Sequence, residues 1–357
     1  MTRPIGYYVH HQGAGHWQRA CAIARALDRP CTLLGTIAEA DARTAPGAVV
    51  ALPDDRIADA GFDGCDGAGG RPASLHYAPL GHPGLRTRMA RVAAWIEAAD
   101  PVLMIVDVSV EVAMLARLLS VPTLVVRLAG LRTDPPHLDA FRGAERLIAP
   151  FPEALEADGT PDWVRDNTLY AGFLGADPEP VRAPEDGRVV VVFGCGGAGG
   201  ALPRLAEAAR AVPDRDWHVL GPTSDAEADP RLPANLHLHG WVGDVAARLA
   251  PAALVVGGGG DGLVAAVAAQ GKRFVCLPEP RAFDEQAAKA AALARLGAAV
   301  VHEGWPAAAD WPALVSRGLG LDPGVIARLA VPDAVPRTAG AIAALARTIE
   351  ARPRPGA

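Results

Sequence analysis

The chain alternates short apolar runs with longer stretches in which apolar residues recur every three or four positions. In its first half Ile5 to His10, Val102 to Val106 and Thr123 to Val126 read as strands. Trp17 to Leu27 and about Val110 to Leu119 read as helices. This rhythm predicts a parallel sheet with helices on both faces. A second alternation begins at the strand Arg188 to Phe193. It continues through helix Leu202–Val212, strands Trp217–Leu220 and Leu236–His239, helix Val245–Leu249 and strand Ala253–Val256. Helix Leu263–Gln270, strand Phe274–Leu277 and helix Glu285–Leu296 complete it. A Pro- and acid-rich stretch, 177–187, separates the halves as a linker, and the Gly- and Asp-rich 54–72 reads as a loop. The expected fold is α/β, with two Rossmann-like domains facing a cleft. Residues 1–177 form the first, 187–334 the second, and 335–357 hold a helix that returns to the first. At 357 residues the chain has room for two cores.

Composition narrows the function. Half the residues are hydrophobic, 21% are charged and the formal net charge is -6, which argues against general nucleic-acid binding. No apolar run approaches the roughly 20 residues that span a bilayer, and the opening residues do not read as a signal peptide. The five cysteines, Cys21, Cys31, Cys65, Cys195 and Cys276, are scattered and lack metal-ligand spacing, as expected of free thiols in a reducing cytoplasm.

Two glycine loops carry the chemistry. Gly194-Cys195-Gly196-Gly197-Ala198-Gly199-Gly200 follows a strand and matches G-x-G-x-x-G. The dinucleotide reading wants a carboxylate at the end of the next strand, which here ends His218-Val219-Leu220-Gly221. A loop approaching a ligand at a domain cleft fits better. Gly257-Gly258-Gly259-Gly260-Asp261-Gly262 is the second loop, with Asp261 suited to cap the next helix or to touch a ligand. Pro278 ends the following strand, and Asp284, Glu285 and Gln286 open an Ala-rich helix. Such polar loops at neighbouring strand ends suit a small, anionic, hydroxylated ligand such as a sugar nucleotide.

His239-Gly240-Trp241-Val242, the 257–262 loop, Gly271-Lys272 and the segment 278–286 together resemble the donor domain of GT-B glycosyltransferases. The branch they resemble is that of the bacterial UDP-GlcNAc transferase completing the lipid-linked peptidoglycan precursor, of the glycosyltransferase family 28 C-terminal type. Gly13-Ala14-Gly15-His16 is similar to the first glycine loop of that branch. The resemblance implies that Glu285 and Gln286 hydrogen-bond donor-sugar hydroxyls and that Trp241 and Val242 grip the nucleobase. It also implies that Gly196 and Gly197 face the diphosphate from one side and Gly259, Gly260, Asp261 and Gly262 from the other. One departure stands out: Ala266 occupies the position where the family places a ribose-binding Glu.

On the first half, His16 follows a glycine turn at a helix start and can take a proton from an attacking hydroxyl. Asp134 is the expected helper. Arg132, Asp134 and His137 form a polar cluster after Thr123–Val126, which Asp107 and Glu111 can join with Gly15 on the acceptor side. Arg86, Arg88 and Arg91, interleaved with Leu85, Met89 and Trp95, form a basic stripe suited to peripheral membrane contact. The expected activity is a metal-independent, inverting transfer from a nucleotide-sugar, UDP-linked by resemblance, to an unidentified acceptor hydroxyl. No cofactor is expected. The alternatives are a sugar-nucleotide epimerase and a non-catalytic nucleotide-sugar-binding protein.

Overall fold

The computed structural model describes residues 2–10, 14–57, 72–175, 187–194, 199–224 and 232–353. Most of the expected linker, most of the loop 54–72, and Gly196 and Gly197 lie outside the described residues.

Strands β1 (Ile5–Tyr8), β2 (Cys31–Gly35), β3 (Ala48–Ala51), β4 (Leu103–Asp107), β5 (Thr123–Val126), β6 (Arg146–Ala149) and β7 (Thr168–Tyr170) build the first sheet. It is entirely parallel, in the order β3-β2-β1-β4-β5-β6-β7. Ile5 sits opposite Cys31 on one side and Leu103 on the other. Both faces of β1 and β4 are buried, which is why their sequences are continuous apolar runs rather than alternating ones.

The second half contributes β8 (Arg188–Val192), β9 (Gly200–Ala201), β10 (Asp216–Leu220), β11 (Thr223–Ser224), β12 (Leu236–Leu238), β13 (Leu254–Gly257), β14 (Phe274–Cys276) and β15 (Val300–Val301). Among the described residues β9 and β11 pair only with each other. The other six form a parallel sheet in the order β12-β10-β8-β13-β14-β15. The chain is therefore a mixed α/β protein with two doubly wound parallel sheets.

Each sheet reverses its winding once, between β1 and β4 in the first and between β8 and β13 in the second. In open parallel sheets the crevice at the carboxyl ends of such strands is where ligands bind. The carboxyl ends of β1, β4, β8 and β13 lead to Gly15-His16 at the start of helix Ala14–Ala26, to Asp107, which ends β4, and in sequence to the first and second glycine loops.

The two halves share packing. One apolar cluster joins Ala129, Ala149, Phe151 and Phe173 of the first to Val190, Val255, Ala290 and Leu293 of the second. Helix Ala334–Glu350 lies against helix Ala14–Ala26, its Ile342, Ala346 and Ile349 entering the first core, and Glu350 pairs with Arg29 at 3.1 Å. At the cleft, the Leu131 N–H donates to the Phe283 carbonyl at 2.7 Å. Gly130 makes this approach possible: its φ is +102°, and a Cβ there would fall 2.3 Å from that carbonyl oxygen. Phe283 and Asp284 sit in the left-handed region themselves, at φ 59° and 52°.

The basic stripe does not turn all of its arginines to solvent. Arg88 is fully buried, donating to Tyr8 Oη at 3.0 Å and to Thr36 Oγ1, with Asp55 Oδ2 3.1 Å away. Arg91 donates to the Ala51 carbonyl at 2.8 Å. Helix Pro83–Ala99 therefore turns its central cation inward. Among the described residues no helix is long and apolar enough to cross a membrane.

Candidate active site

His16 is the third residue of helix Ala14–Ala26, which begins three positions earlier than its apolar pattern suggests. One turn later Arg19 lies on the same face. Arg19 Nη2 is 2.9 Å from both oxygens of Asp107 and 2.9 Å from His16 Nδ1, and Asp107 Oδ2 is 3.1 Å from that same Nδ1. Asp107, at the end of β4, is fully buried. Burial opposes its charge most strongly, yet Arg19 and His16 outweigh burial and hold the carboxyl well below the usual carboxylate range. The carboxylate beside His16 is thus Asp107 and not Asp134, because β4 delivers it to the switch point whereas Asp134 lies beyond β5, at the N-cap position of the next helix.

Asp134 has other partners. Its Oδ1 is 2.5 Å from His137 Nδ1, and its Oδ2 contacts His76 Nε2. Glu111 holds the His76 segment in place by accepting from the N–H groups of His76 (2.7 Å) and Tyr77 (2.9 Å). Arg132 Nη1 lies 3.1 Å from His137 Nε2. A guanidinium only donates, so Nε2 accepts and the ring proton of His137 sits on Nδ1, toward Asp134. His76, Asp134 and His137 have the composition of a two-histidine, one-carboxylate metal set, with ligand atoms within 4.8 Å of one another. The Arg132 contact disfavours that use, since a ligating histidine normally turns its other nitrogen to an acceptor. The chain's one Asp-x-Asp, Asp214-Arg215-Asp216, lies where β10 begins, at the sheet edge opposite the cleft.

Burial first, with Arg132 and His76 adding, pushes His137 down to about 4 despite Asp134. The unfolded chain therefore binds the extra proton between about pH 6.5 and 4, so this contribution is complete above 6.5 and is lost as pH falls toward 4. Wild-type stability in urea is expected to fall across that window. His137→Asn should remove part of the fall, on the order of 1–3 kcal/mol. An unchanged pH profile in the variant would refute the assignment.

The second half faces this group. Gly260 takes the N-cap position of helix Asp261–Ala269, and Asp261 is its first residue with no side-chain cap bond, so Asp261 is not the cap. Its carboxylate instead pairs with Lys289, whose Nζ also donates to the Gly259 carbonyl at 3.0 Å. Burial works against the Asp261 charge, but Lys289, with Arg19 and His16 across the cleft, lowers its proton affinity. Asp261 therefore stands within electrostatic reach of His16. Gly262 and Gly15 each have open space where a Cβ would stand.

Gln286 is buried. Its Oε1 accepts from the Gly259 N–H at 2.8 Å and from the Glu279 N–H at 3.0 Å, so this amide ties the second glycine loop to the loop after β14. Glu285 Oε2 lies 3.8 Å from Arg132 Nη2 across the cleft. The Phe283 ring packs edge-on against His137 at 4.8 Å, with the Arg132 guanidinium 4.9 Å from its centre. Trp241 is 67% exposed, and so is not part of the core, while Val242 packs against the core. Ala266 is an apolar helix residue with nothing to offer a ribose.

Arg19, His76, Phe283 and Lys289 were missed in the sequence. Arg19 had a signal, its i+3 spacing from His16. So did Lys289: only two of the 34 Lys and Arg residues are lysines, and this one falls within one turn of Glu285 and Gln286. His76 had none, lying 58 positions from Asp134.

No protein-family model and no curated protein sequence matches the chain. Solved structures do. The glycosyltransferase of kitacinnamycin is 18% identical over 98% of this chain and 99% of its own, with a TM-score of 0.67. MurG of Acinetobacter baumannii is 17% identical over 96% and 99%, with a TM-score of 0.66. The spinosyn rhamnosyltransferase SpnG, complexed with thymidine diphosphate, is 19% identical over 98% and 100%, with a TM-score of 0.61. Near-complete coverage in both directions at such low identity speaks to architecture, and the architecture of this chain is the GT-B fold of these glycosyltransferases.

Proposed function

We propose that the protein is an inverting, metal-independent glycosyltransferase that moves a sugar from a nucleotide-sugar to an acceptor hydroxyl. The observation that carries this reading is the pairing of switch points: His16, beside buried Asp107, faces the glycine loop that ends at Asp261. The acceptor oxygen attacks the anomeric carbon as the bond from that carbon to the diphosphate oxygen breaks, and the diphosphate leaves with the electron pair. His16 takes the hydroxyl proton at Nε2, and Asp107 balances the imidazolium. Glycine-loop N–H groups and the start of helix Asp261–Ala269 stabilise the departing charge, with Lys289 offsetting Asp261. Gly196 and Gly197 are assigned to the same diphosphate by resemblance.

Exposed Trp241 stacks on the nucleobase beside the backbone of Val242. Glu285 reads sugar hydroxyls, and Gln286 positions the loop from Gly258 to Gly260. SpnG has been crystallised with thymidine diphosphate and with the spinosyn aglycone, which supports a nucleotide-linked donor and a small-molecule acceptor here. Arg132, Asp134, His137, Glu111 and His76 form the acceptor side. The buried free thiols Cys21, Cys31 and Cys276 suit a reducing cytoplasm.

Release of nucleoside diphosphate from UDP-, dTDP- and GDP-sugars, in the presence of a panel of hydroxylated acceptors, tests the reading. At least one donor is expected to turn over, at a rate unchanged by EDTA. Loss of turnover on chelation would refute metal independence, and saturable binding without release would make the protein a binder.

A further inference from the structure

We propose that Arg19 is a positioning residue that sets which ring nitrogen of His16 carries the proton. Arg19 Nη2 has two N–H groups and three acceptors around it: both oxygens of Asp107 and His16 Nδ1, each at 2.9 Å. One N–H spans the carboxylate and the other points to the imidazole. A guanidinium cannot accept, so in this arrangement Nδ1 is the acceptor and the neutral ring holds its proton on Nε2. Asp107 Oδ2, 3.1 Å from the same Nδ1, favours the opposite form, with the proton on Nδ1 donated to the carboxylate.

The two forms differ in chemistry. With Arg19 on Nδ1, His16 presents an N–H at Nε2 and has no lone pair there for a hydroxyl proton. With Asp107 on Nδ1, Nε2 is the base. The ring gains no proton in passing between them; it gives one up at Nε2 and takes one at Nδ1 through water.

A second observation concerns the other side of the guanidinium. Arg19 Nε and Tyr7 Oη are both buried without a well-formed hydrogen bond, although Tyr7 lies close enough to Arg19 for their side chains to interact. Buried orphan donors are rare and mark a strained or switchable group. A guanidinium turned from His16 toward the Tyr7 hydroxyl would release Nδ1 to the carboxylate. In the arrangement seen, Arg19 thus holds the His16 ring in its non-basic form.

This inference rests on the reading of His16 as the base, and its test does not need a substrate. Long-range proton–nitrogen correlation spectra of ligand-free protein labelled with ¹⁵N-histidine report the position of the ring proton. The His16 signals are identified by their loss in His16→Ala. The expected wild-type result is a neutral ring protonated at Nε2. In folded Arg19→Met, whose Asp107 retains His16 as its partner, the two ring nitrogens should exchange character. A wild-type ring protonated at Nδ1 overturns the proposal, and so does an unchanged ring in the variant. If Arg19→Met does not fold, the wild-type spectrum alone decides. An Nε2-protonated wild type together with an active His16→Ala sinks the base assignment and not the Arg19 geometry. The reverse pair of results sinks only the role of Arg19.

Discussion

Replacing His16 with alanine is expected to lower sugar transfer by about 10²–10⁴-fold, the usual worth of a positioned general base, while leaving nucleotide-sugar binding within experimental error. The separation follows from geography. His16 belongs to the first unit, at the start of helix Ala14–Ala26, whereas Trp241, the second glycine loop and helix Glu285–Arg295 belong to the second. Parallel steady-state kinetics and equilibrium binding check it. Transfer that survives the substitution removes His16 from the chemistry, and loss of binding with transfer would instead make it a donor contact.

Asp107→Asn should be the most destabilising conservative change in the cleft, by about 3–5 kcal/mol. Asn keeps the shape but removes the charge, leaving the buried Arg19 guanidinium uncompensated. The penalty comes from the orphaned cation rather than from the lost pair. Adding Arg19→Met to Asp107→Asn should therefore recover part of the loss. Urea melts of the three variants decide; a double variant no better than the single would show that packing, not charge, dominates. Asp107 binds its proton less readily folded than unfolded. Its contribution is thus complete above about pH 4, the ordinary carboxylate value, and fades as the pH falls below it. Transfer by Asp107→Asn should fall as well, because the imidazolium loses its counter-charge.

Much of this arrangement could be read from the chain because central parallel strands are buried on both faces. Ile5–Tyr8, Leu103–Asp107, Arg188–Val192 and Leu254–Gly257 stand out as unbroken apolar runs, and the two glycine loops follow strands of the second sheet. Cys31–Gly35 and Arg146–Ala149, inside the first sheet, were missed despite their burial, and so were strands that lack such contrast. Ala48–Ala51 is largely exposed, Thr168–Tyr170 spans three residues and Val300–Val301 two, and edge strands so short carry little pattern. The chemistry was harder to pair. His16, Asp107, Asp134 and His137 are all visible as residue types, but which carboxylate meets which imidazole depends on strand order. The order β1-β4-β5 brings Asp107 to His16 and leaves Asp134 to His76 and His137. No local spacing encodes that choice. Gln286 shows the same limit from the other side: its place at a helix start was evident, but its amide binds the Gly259 and Glu279 backbone, which only the fold brings within reach.

The proposed donor cleft is tested most directly by calorimetric titration of UDP-, dTDP- and GDP-sugars into the wild-type protein. Saturable binding of at least one class, at one site per chain, is the predicted result. No binding by any of the three at millimolar concentration would contradict the assignment of this cleft to a nucleotide-sugar.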